Sequence, residues 1–275
     1  TLSSSSAASD VYKRQKLFIN TSNFFQPTFS CYLADSKSEI KAAQRLRYKV
    51  FFAERENKII KLNSFKRETD DYDKYAEHII VTFKKNKLSK TKVIGTYRLL
   101  KQSVAQKNKG FYSSNEYDLS NLLKSNKYNN LLELSRSCIN KKFRKKNVLQ
   151  LMWKKIHEYV VENKVDALFG TASFLETNIK LIEPELKFLN DNFTMPDEIK
   201  VKALNEYKVN LSNNISILSK MDIVKKLPAL IKAYLRLNAY IGDGAVLDNH
   251  FKTTDVFIFL PFSRIKETYL KKFSN

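Results

Sequence analysis

The chain has 275 residues and 43% hydrophobic content, enough for a sizeable core in one α/β domain or two small ones. Lys and Arg outnumber Asp and Glu by 49 to 28, a net charge of +21 that favours polyanionic partners: nucleic acid, anionic lipid or an acidic protein. The two cysteines, Cys31 and Cys138, form no CxxC pair and His78, His157 and His250 are dispersed, so neither a disulfide framework, a zinc site nor another metal site is expected. A membrane-spanning helix needs roughly 18 to 20 apolar residues. The best candidate run, 227–241, is broken by Lys232 and Arg236.

Residues 1–15 (TLSSSSAASDVYKRQ) have no apolar core of a leader and read as a translated adapter or disordered tail, leaving 16–275 for the fold. Residues 28–33 alternate weakly, as a first strand would. A helix is expected over about 39–52, where Ile40, Ala43, Val50 and Phe51 share a stripe with Arg47. An arginine in an apolar stripe needs a buried carboxylate, and the acidic run at 69–73 offers Asp70 or Asp73.

Residues 78–83 (HIIVTF) and 93–100 (VIGTYRLL) read as an antiparallel hairpin, with Arg98 sharing a face with Ile94, Thr96 and Leu100. Next come a strand at 131–139 (LLELSRSCI), a basic link at 140–147 and an apolar-periodic helix over about 148–162. A strand at 167–172 follows. With Pro184 and Pro196 as breakers, 176–220 reads as short helices and loops forming a lid or insertion. A helix near 224–239, a turn at 242–244 (GDG) and a strand at 255–260 close a single α+β domain.

The strand, basic loop and helix at 131–162 form the strongest local signal for chemistry. A helix N-terminus gathers unpaired N–H groups and the positive end of the dipole, and Arg144, Lys145 and Lys146 add charge there. Spacing alone does not separate such a phosphate site from a solvated basic turn.

The motif ELSRSC at 133–138 resembles the fourth-strand motif of the GNAT-like N-acyltransferases that make lyso-ornithine lipid, often called hemolysin-like. Similar blocks recur in order: QRLRYKVFFAE at 44–54, DDYD at 70–73, HIIV at 78–81, GTYRLL at 95–100, FYSSNEYDLS at 111–120 and LFGTASF at 168–174. Residues 227–261 resemble the C-terminal part of the same family. The first half also resembles the acyl-homoserine lactone synthases, at Arg47, Phe51, Asp70, Asp73, Arg98, Glu133 and Arg136. Those synthases are not expected to carry the C-terminal block and rank second.

The resemblance implies a GNAT-like acyltransferase fold, a mixed and mostly antiparallel sheet flanked by helices. It implies transfer of a fatty, 3-hydroxyacyl group from the phosphopantetheine of an acidic acyl carrier protein to the α-amine of an amino acid, ornithine first, with no bound cofactor. Glu133 is the implied base. Arg47, Phe51, Asp70, Asp73, Arg98 and Arg136 form the acceptor pocket or its scaffold, and Arg144, Lys145, Lys146, Asn147 and Val148 the carrier loop. The sequence departs from the family at Ser135, where glycine is usual, and at Thr171, where cysteine is usual. The donor loop lacks the usual glycines, so any left-handed turn falls to Asn147.

Strict alternation sets Glu133, Ser135 and Ser137 opposite Arg136, so a shared site requires a bulge or roles on opposite faces. The basic stretch 225–240, with Leu227, Leu230, Ile231 and Leu235 beside Lys225, Lys226, Lys232 and Arg236, suits either a bilayer surface or an ordinary packed helix. A cytoplasmic enzyme, peripheral at the inner membrane if that stretch meets lipid, is the corresponding expectation. A nucleic-acid-binding module is the competing class, but the 14 Tyr and 19 Phe fall mainly in apolar-periodic segments, so no nucleic-acid partner is expected.

Overall fold

The computed structural model describes residues 26–54, 66–145, 147–212 and 219–274. The proposed tail at 1–15 and Lys146 therefore lie outside the described residues. The strands are β1 (Thr28–Leu33), β2 (Glu77–Lys84), β3 (Lys92–Lys101), β4 (Tyr117–Asp118), β5 (Leu131–Ile139), β6 (Ala167–Phe174), β7 (Lys202–Ala203), β8 (Tyr240–Asp248) and β9 (Thr253–Pro261). Interleaved with them are α1 (Lys37–Tyr48), α2 (Gln102–Ala105), α3 (Ser120–Lys124), α4 (Val148–Glu162), α5 (Glu183–Phe193), α6 (Lys220–Lys226), α7 (Ala229–Arg236) and α8 (Glu267–Ser274).

The strands form one mixed sheet in the order β1-β2-β3-β5-β6-β9-β8-β7-β4. Pairing is antiparallel except at β5·β6 and β7·β8, the α+β arrangement that the sequence resemblance implies.

Each face of the sheet carries its own core. Met152, Ile156, Tyr159 and Val160 of α4 pack with Val81, Leu99, Leu132, Leu134 and Ile258 on one face. The helix crosses β3 at Gly95, where an added Cβ would meet Val148 Cγ1 at 3.0 Å. On the other face Leu100, Leu131, Phe169, Phe257 and Phe259 pack under Phe111, Tyr117 and Leu122. This second face, roofed also by α1, holds the buried polar groups.

Two bulges rearrange the faces that alternation alone predicts. Between β2 and β3, Val81 faces Gly95 and Thr82 faces Val93, so Ile94 is the extra residue. It packs with Tyr97 and Leu99 rather than with Arg98 as expected. Between β3 and β5, Thr96 faces Cys138 and Arg98 faces Ser135, leaving Arg136 and Ser137 opposite Tyr97. Arg136 takes up the extra length in the left-handed region, at φ 56°.

Three further expectations change. Helix α1 stops at Tyr48 and continues as a wider π turn over Lys49–Ala53. The helix expected near 224–239 is two, α6 and α7, because Pro228 cannot continue the first. Residues 242–244 are no turn: they bulge within β8, where the register to β9 shifts between Ile241 and Ala245. Residues 176–220 supply α5 and β7, and their backbone bonds β8 through Met195 N to Ile241 O and Val209 N to Ala245 O.

The sheet opens at its centre. Strands β5 and β6 pair in parallel only from Leu131 and Ala167 to Glu133 and Phe169. Beyond that point β5 stays with β3 as far as Ile139, and β6 with β9 as far as Phe174, so the two strands part. Gly170 sits at the vertex with φ 156°, and a Cβ there would stand 2.1 Å from Leu134 O. Gly170→Ala must push the strands apart at this point and should destabilise the fold by about 3 kcal/mol or more. Thermal or urea unfolding measures it.

Candidate functional site

Three arginines and three carboxylates meet under α1 on the polar face. Arg47 grips Asp73 with two nitrogens, Nη1 to Oδ1 at 2.8 Å and Nη2 to Oδ2 at 2.5 Å. Its Nε lies 2.5 Å from Glu68 Oε2. Arg98 donates from Nη1 to Asp70 Oδ1 at 2.5 Å and to Asp73 Oδ1 at 3.1 Å. Arg136 donates from Nε to Glu68 Oε1 at 2.9 Å and from Nη2 to Asp70 Oδ2 at 2.8 Å.

Every carboxylate in this group therefore bridges two arginines, and the charges balance. Burial would raise Asp73, but the Arg47 and Arg98 guanidiniums hold it well below the usual carboxylate range. His78, across the pair from Arg98, is buried beside the same network and lowered to about 4, so it stays neutral.

Of the two partners expected for Arg47, Asp73 is the one found, and Asp70 serves Arg98 and Arg136 instead. Ser135, the departure from the family's glycine, accepts from Arg98 Nε at 2.9 Å. The Arg136 guanidinium lies between the rings of Tyr112 and Phe251, 4.4 and 4.7 Å from their centroids. Phe51 packs edge-on against Phe251, with centroids 5.5 Å apart.

The bulge resolves the question of faces. It turns Arg136 onto the side of Glu133, where Tyr112 contacts both. Glu133 is fully buried and accepts three bonds: from Tyr112 N at 2.7 Å, Ser113 N at 2.7 Å and Ser113 Oγ at 2.6 Å. These bonds hold the short turn Tyr112–Asn115 over the strand. Burial raises the Glu133 pKa, and the Ser113 and Tyr112 donors draw it only part of the way back.

Beside Glu133 lies an acidic group that sequence reading missed. Burial, then the charges of Asp255 and Asp248, push Glu116 up to about 8. Burial pushes Asp255 up to about 6. The block FYSSNEYDLS contains Glu116, but nothing in its spacing ties it to Asp248 and Asp255, which arrive from β8 and β9. Tyr112, Ser113, Glu68 and Phe251 were missed for the same reason.

The donor loop is less concentrated. Asn147 has φ −71°, so it makes no left-handed turn, and it gives α4 no side-chain cap. Ahead of it lies the short 3-10 turn Lys141–Phe143, capped by Asn140, whose side chain accepts from Lys142 N. The first α4 bond runs from Leu151 N to Asn147 O, leaving the N–H groups ahead of it at the helix mouth. Arg144 donates to Glu54 Oε2 at 2.5 Å and to Ile139 O at 3.0 Å, Lys145 is exposed, and Val148 is buried against β3. Tyr159 donates to Glu77, away from this group.

Among the described residues no helix is long and apolar enough to cross a membrane. Along 225–240, Leu227 and Ile231 are buried, Leu230 and Leu235 are half-buried, and Tyr234 hydrogen-bonds Tyr97 at 2.8 Å.

Glu116 makes stability depend on pH in a definite sense. A carboxyl raised from 4.5 to about 8 favours the fold fully below about 4.5, and that contribution is lost as pH rises through about 8. Glu116→Gln, which keeps the neutral shape, should melt higher than the parent at pH 8 and equally at pH 4.5. Differential scanning calorimetry at the two pH values reads the difference.

Residues 46–154 match the model of the acetyltransferase (GNAT) domain. Over 242 residues the chain is 38% identical to the L-ornithine N(alpha)-acyltransferase of Brucella abortus (strain 2308), covering 86% of each protein. It is 36% identical over 241 residues to the L-ornithine N(alpha)-acyltransferase of Rhizobium meliloti (strain 1021), covering 86% of this chain and 81% of that one. Among solved structures, FeeM, an N-acyl amino acid synthase from uncultured soil microbes, aligns with 89% of this chain and 100% of its own at a TM-score of 0.48 and 8% identity. By its near full-length identity to those relatives, the chain belongs to the L-ornithine N(alpha)-acyltransferase family, acyltransferases with a GNAT domain.

Proposed function

We propose that this protein moves a fatty acyl group, of the 3-hydroxyacyl type implied by the sequence resemblance, from an acyl carrier protein to the α-amine of ornithine. The observation that carries the acceptor is the extent of identity to proteins named for ornithine Nα-acylation. The opening between β5 and β6 supports the donor. An extended arm bearing amides, such as pantetheine, fits between two parted strands, with its phosphate at the mouth of α4. The exposed Lys145, the half-exposed Arg144 and the net charge of +21 suit an acidic carrier.

The neutral α-amine attacks the thioester carbonyl carbon, the C–N bond forms, and the C–S bond breaks to release thiolate. A thiol pKa near about 8.5 makes thiolate a tolerable leaving group. The amine must shed a proton. Glu133 takes it through the Ser113 hydroxyl, which donates to the buried carboxylate at 2.6 Å. Arg47, Arg98, Arg136, Asp70 and Asp73 act as the scaffold that fixes Glu133 and Tyr112 beside the parted strands, and Phe51 closes one side through Phe251.

Mass spectrometry of N-acyl products from acyl carrier thioesters and a panel of amino acids tests the reaction. Product with ornithine is expected, and none with any amino acid would overturn it. Glu133→Gln should lower kcat by roughly 100-fold or more with little change in donor KM. Normal turnover in the folded variant would remove Glu133 as base. Arg144→Ala with Lys145→Ala should raise the donor KM several-fold and flatten its dependence on salt, leaving kcat near the parent value.

A further inference from the structure

One group of buried charges has no role in the reaction just described. Asp248 and Thr253 are cross-strand partners, and Asp255 stands two residues beyond Thr253, so all three share the sheet face that carries Glu133. Glu116 descends onto them from the segment leading into β4, whose backbone is pinned by Leu204 N to Glu116 O.

The polar atoms here are under-satisfied in a particular way. Asp248 uses Oδ1 to accept from His250 N and Phe251 N at 2.7 and 2.9 Å, closing the β8–β9 hairpin. Glu116 Oε2, Asp255 Oδ1 and Thr253 Oγ1 are all buried without a hydrogen bond. Asp255 is 6% exposed and Thr253 only 3%. The Thr253 and Ser173 hydroxyls lie close enough to Asp255 to lower its pKa, yet Oδ1 keeps no bond to either.

A buried acceptor without a donor is unfavourable, and native folds keep few of them, so several together call for an explanation. Neutral donors complete a single carboxylate, as at Glu133, but several gathered in one place repel one another and favour a cation. Arg136 is the cation acting on Glu116 and Asp255, and it is already bound to Glu68 and Asp70. A metal ion fits poorly, since among the described residues no group of His, Cys, Asp or Glu has metal-holding geometry. An ammonium brings three N–H donors to oxygens spread around it.

We propose that Glu116, Asp248 and Asp255, with the Thr253 hydroxyl, form the subsite that receives the side-chain ammonium of the acceptor. This rests on the reading of the acceptor as an amino acid. The acceptor's α-amine then lies toward Ser113 and Glu133, and its side chain runs along the same sheet face to the acidic group. The raised pKa values of Glu116 and Asp255 agree, because mutual repulsion is relieved when a cation enters. The subsite selects ornithine-like acceptors over uncharged amino acids of equal length.

The test is isothermal titration calorimetry of the full chain with ornithine and with norvaline, which has the same carbon chain without the δ-amine. Titrations are run with and without holo-acyl carrier protein, which cannot turn over. The parent should bind ornithine at least about 10-fold more tightly than norvaline. Glu116→Gln and Asp255→Asn should each erase most of that preference, and Thr253→Val should reduce it by a few-fold. Each replaces a buried carboxyl or an unbonded hydroxyl at nearly constant shape, so the variants should fold, as circular dichroism would verify. Equal binding of the two amino acids by the parent, or an undiminished preference in the folded variants, would overturn the subsite. A charge-dependent preference with no N-acyl product would instead sustain the subsite and sink the transfer reaction.

Discussion

The arrangement of the polar face depends on the buried network of Arg47, Arg98 and Arg136 with Glu68, Asp70 and Asp73. Its members come from α1, from residues 68–73, from β3 and from β5, which are remote in the chain and meet in backbone hydrogen bonds at β3·β5 and from Glu68 N to Gln44 O. Taking so many charges out of water is costly, and removal of one partner from such a pair typically costs 3–5 kcal/mol by stranding the other. Each carboxylate here serves two guanidiniums, so a displacement of any one element disturbs the rest. The network trades tolerance for a single defined geometry.

That geometry matters because the sheet parts immediately beside it. Two strands that separate after three parallel residue pairs leave a slot through the middle of the sheet, and a slot is stable only if both sides are held independently. On the β5 side the holding is electrostatic, through Ser135 and Arg136. On the β6 side it is the register with β9, unbroken from Ala167 to Phe174. Glu133 marks the last paired position, and its three hydrogen bonds clamp the 112–115 turn across the vertex.

The charges beyond the vertex are organised differently. In the arginine network opposite charges alternate and nearly every polar atom is engaged. Around Glu116 and Asp255 like charges gather, two of their oxygens lack donors, and the carboxyl pKa values rise. The contrast separates a scaffold, which is complete in itself, from a surface complementary to something positively charged. Both types of charge share one sheet face, and the charge of Arg136 acts on both.

Local signals determined much of the fold. Strands β1 and β5 and helix α4 have the bounds that the sequence pattern assigns. The same logic singled out Arg47, since an arginine in an apolar stripe demands a buried partner. Apart from Glu68, the residues of the network were legible through family resemblance, down to Arg98 and Arg136. What failed were the positions where register rather than period decides: Ile94 changed faces, residues 242–244 became a bulge and Arg136 turned toward Glu133. A bulge adds one residue to one strand, and only the partner strand reveals that the count is unequal.

The leading signal of the chain was the strand, basic loop and helix at 131–149, and the sequence determined its order, its charge and its kinship. Tertiary structure alone decided what those residues face. The parting of β5 from β6, the capture of Glu133 by Tyr112 and Ser113, and the gathering of Glu116, Asp248 and Asp255 each join segments separated by tens of residues. No local periodicity encodes such a meeting, because which carboxylate is paired and which is left wanting a cation is settled only when the strands are in register and water has been excluded.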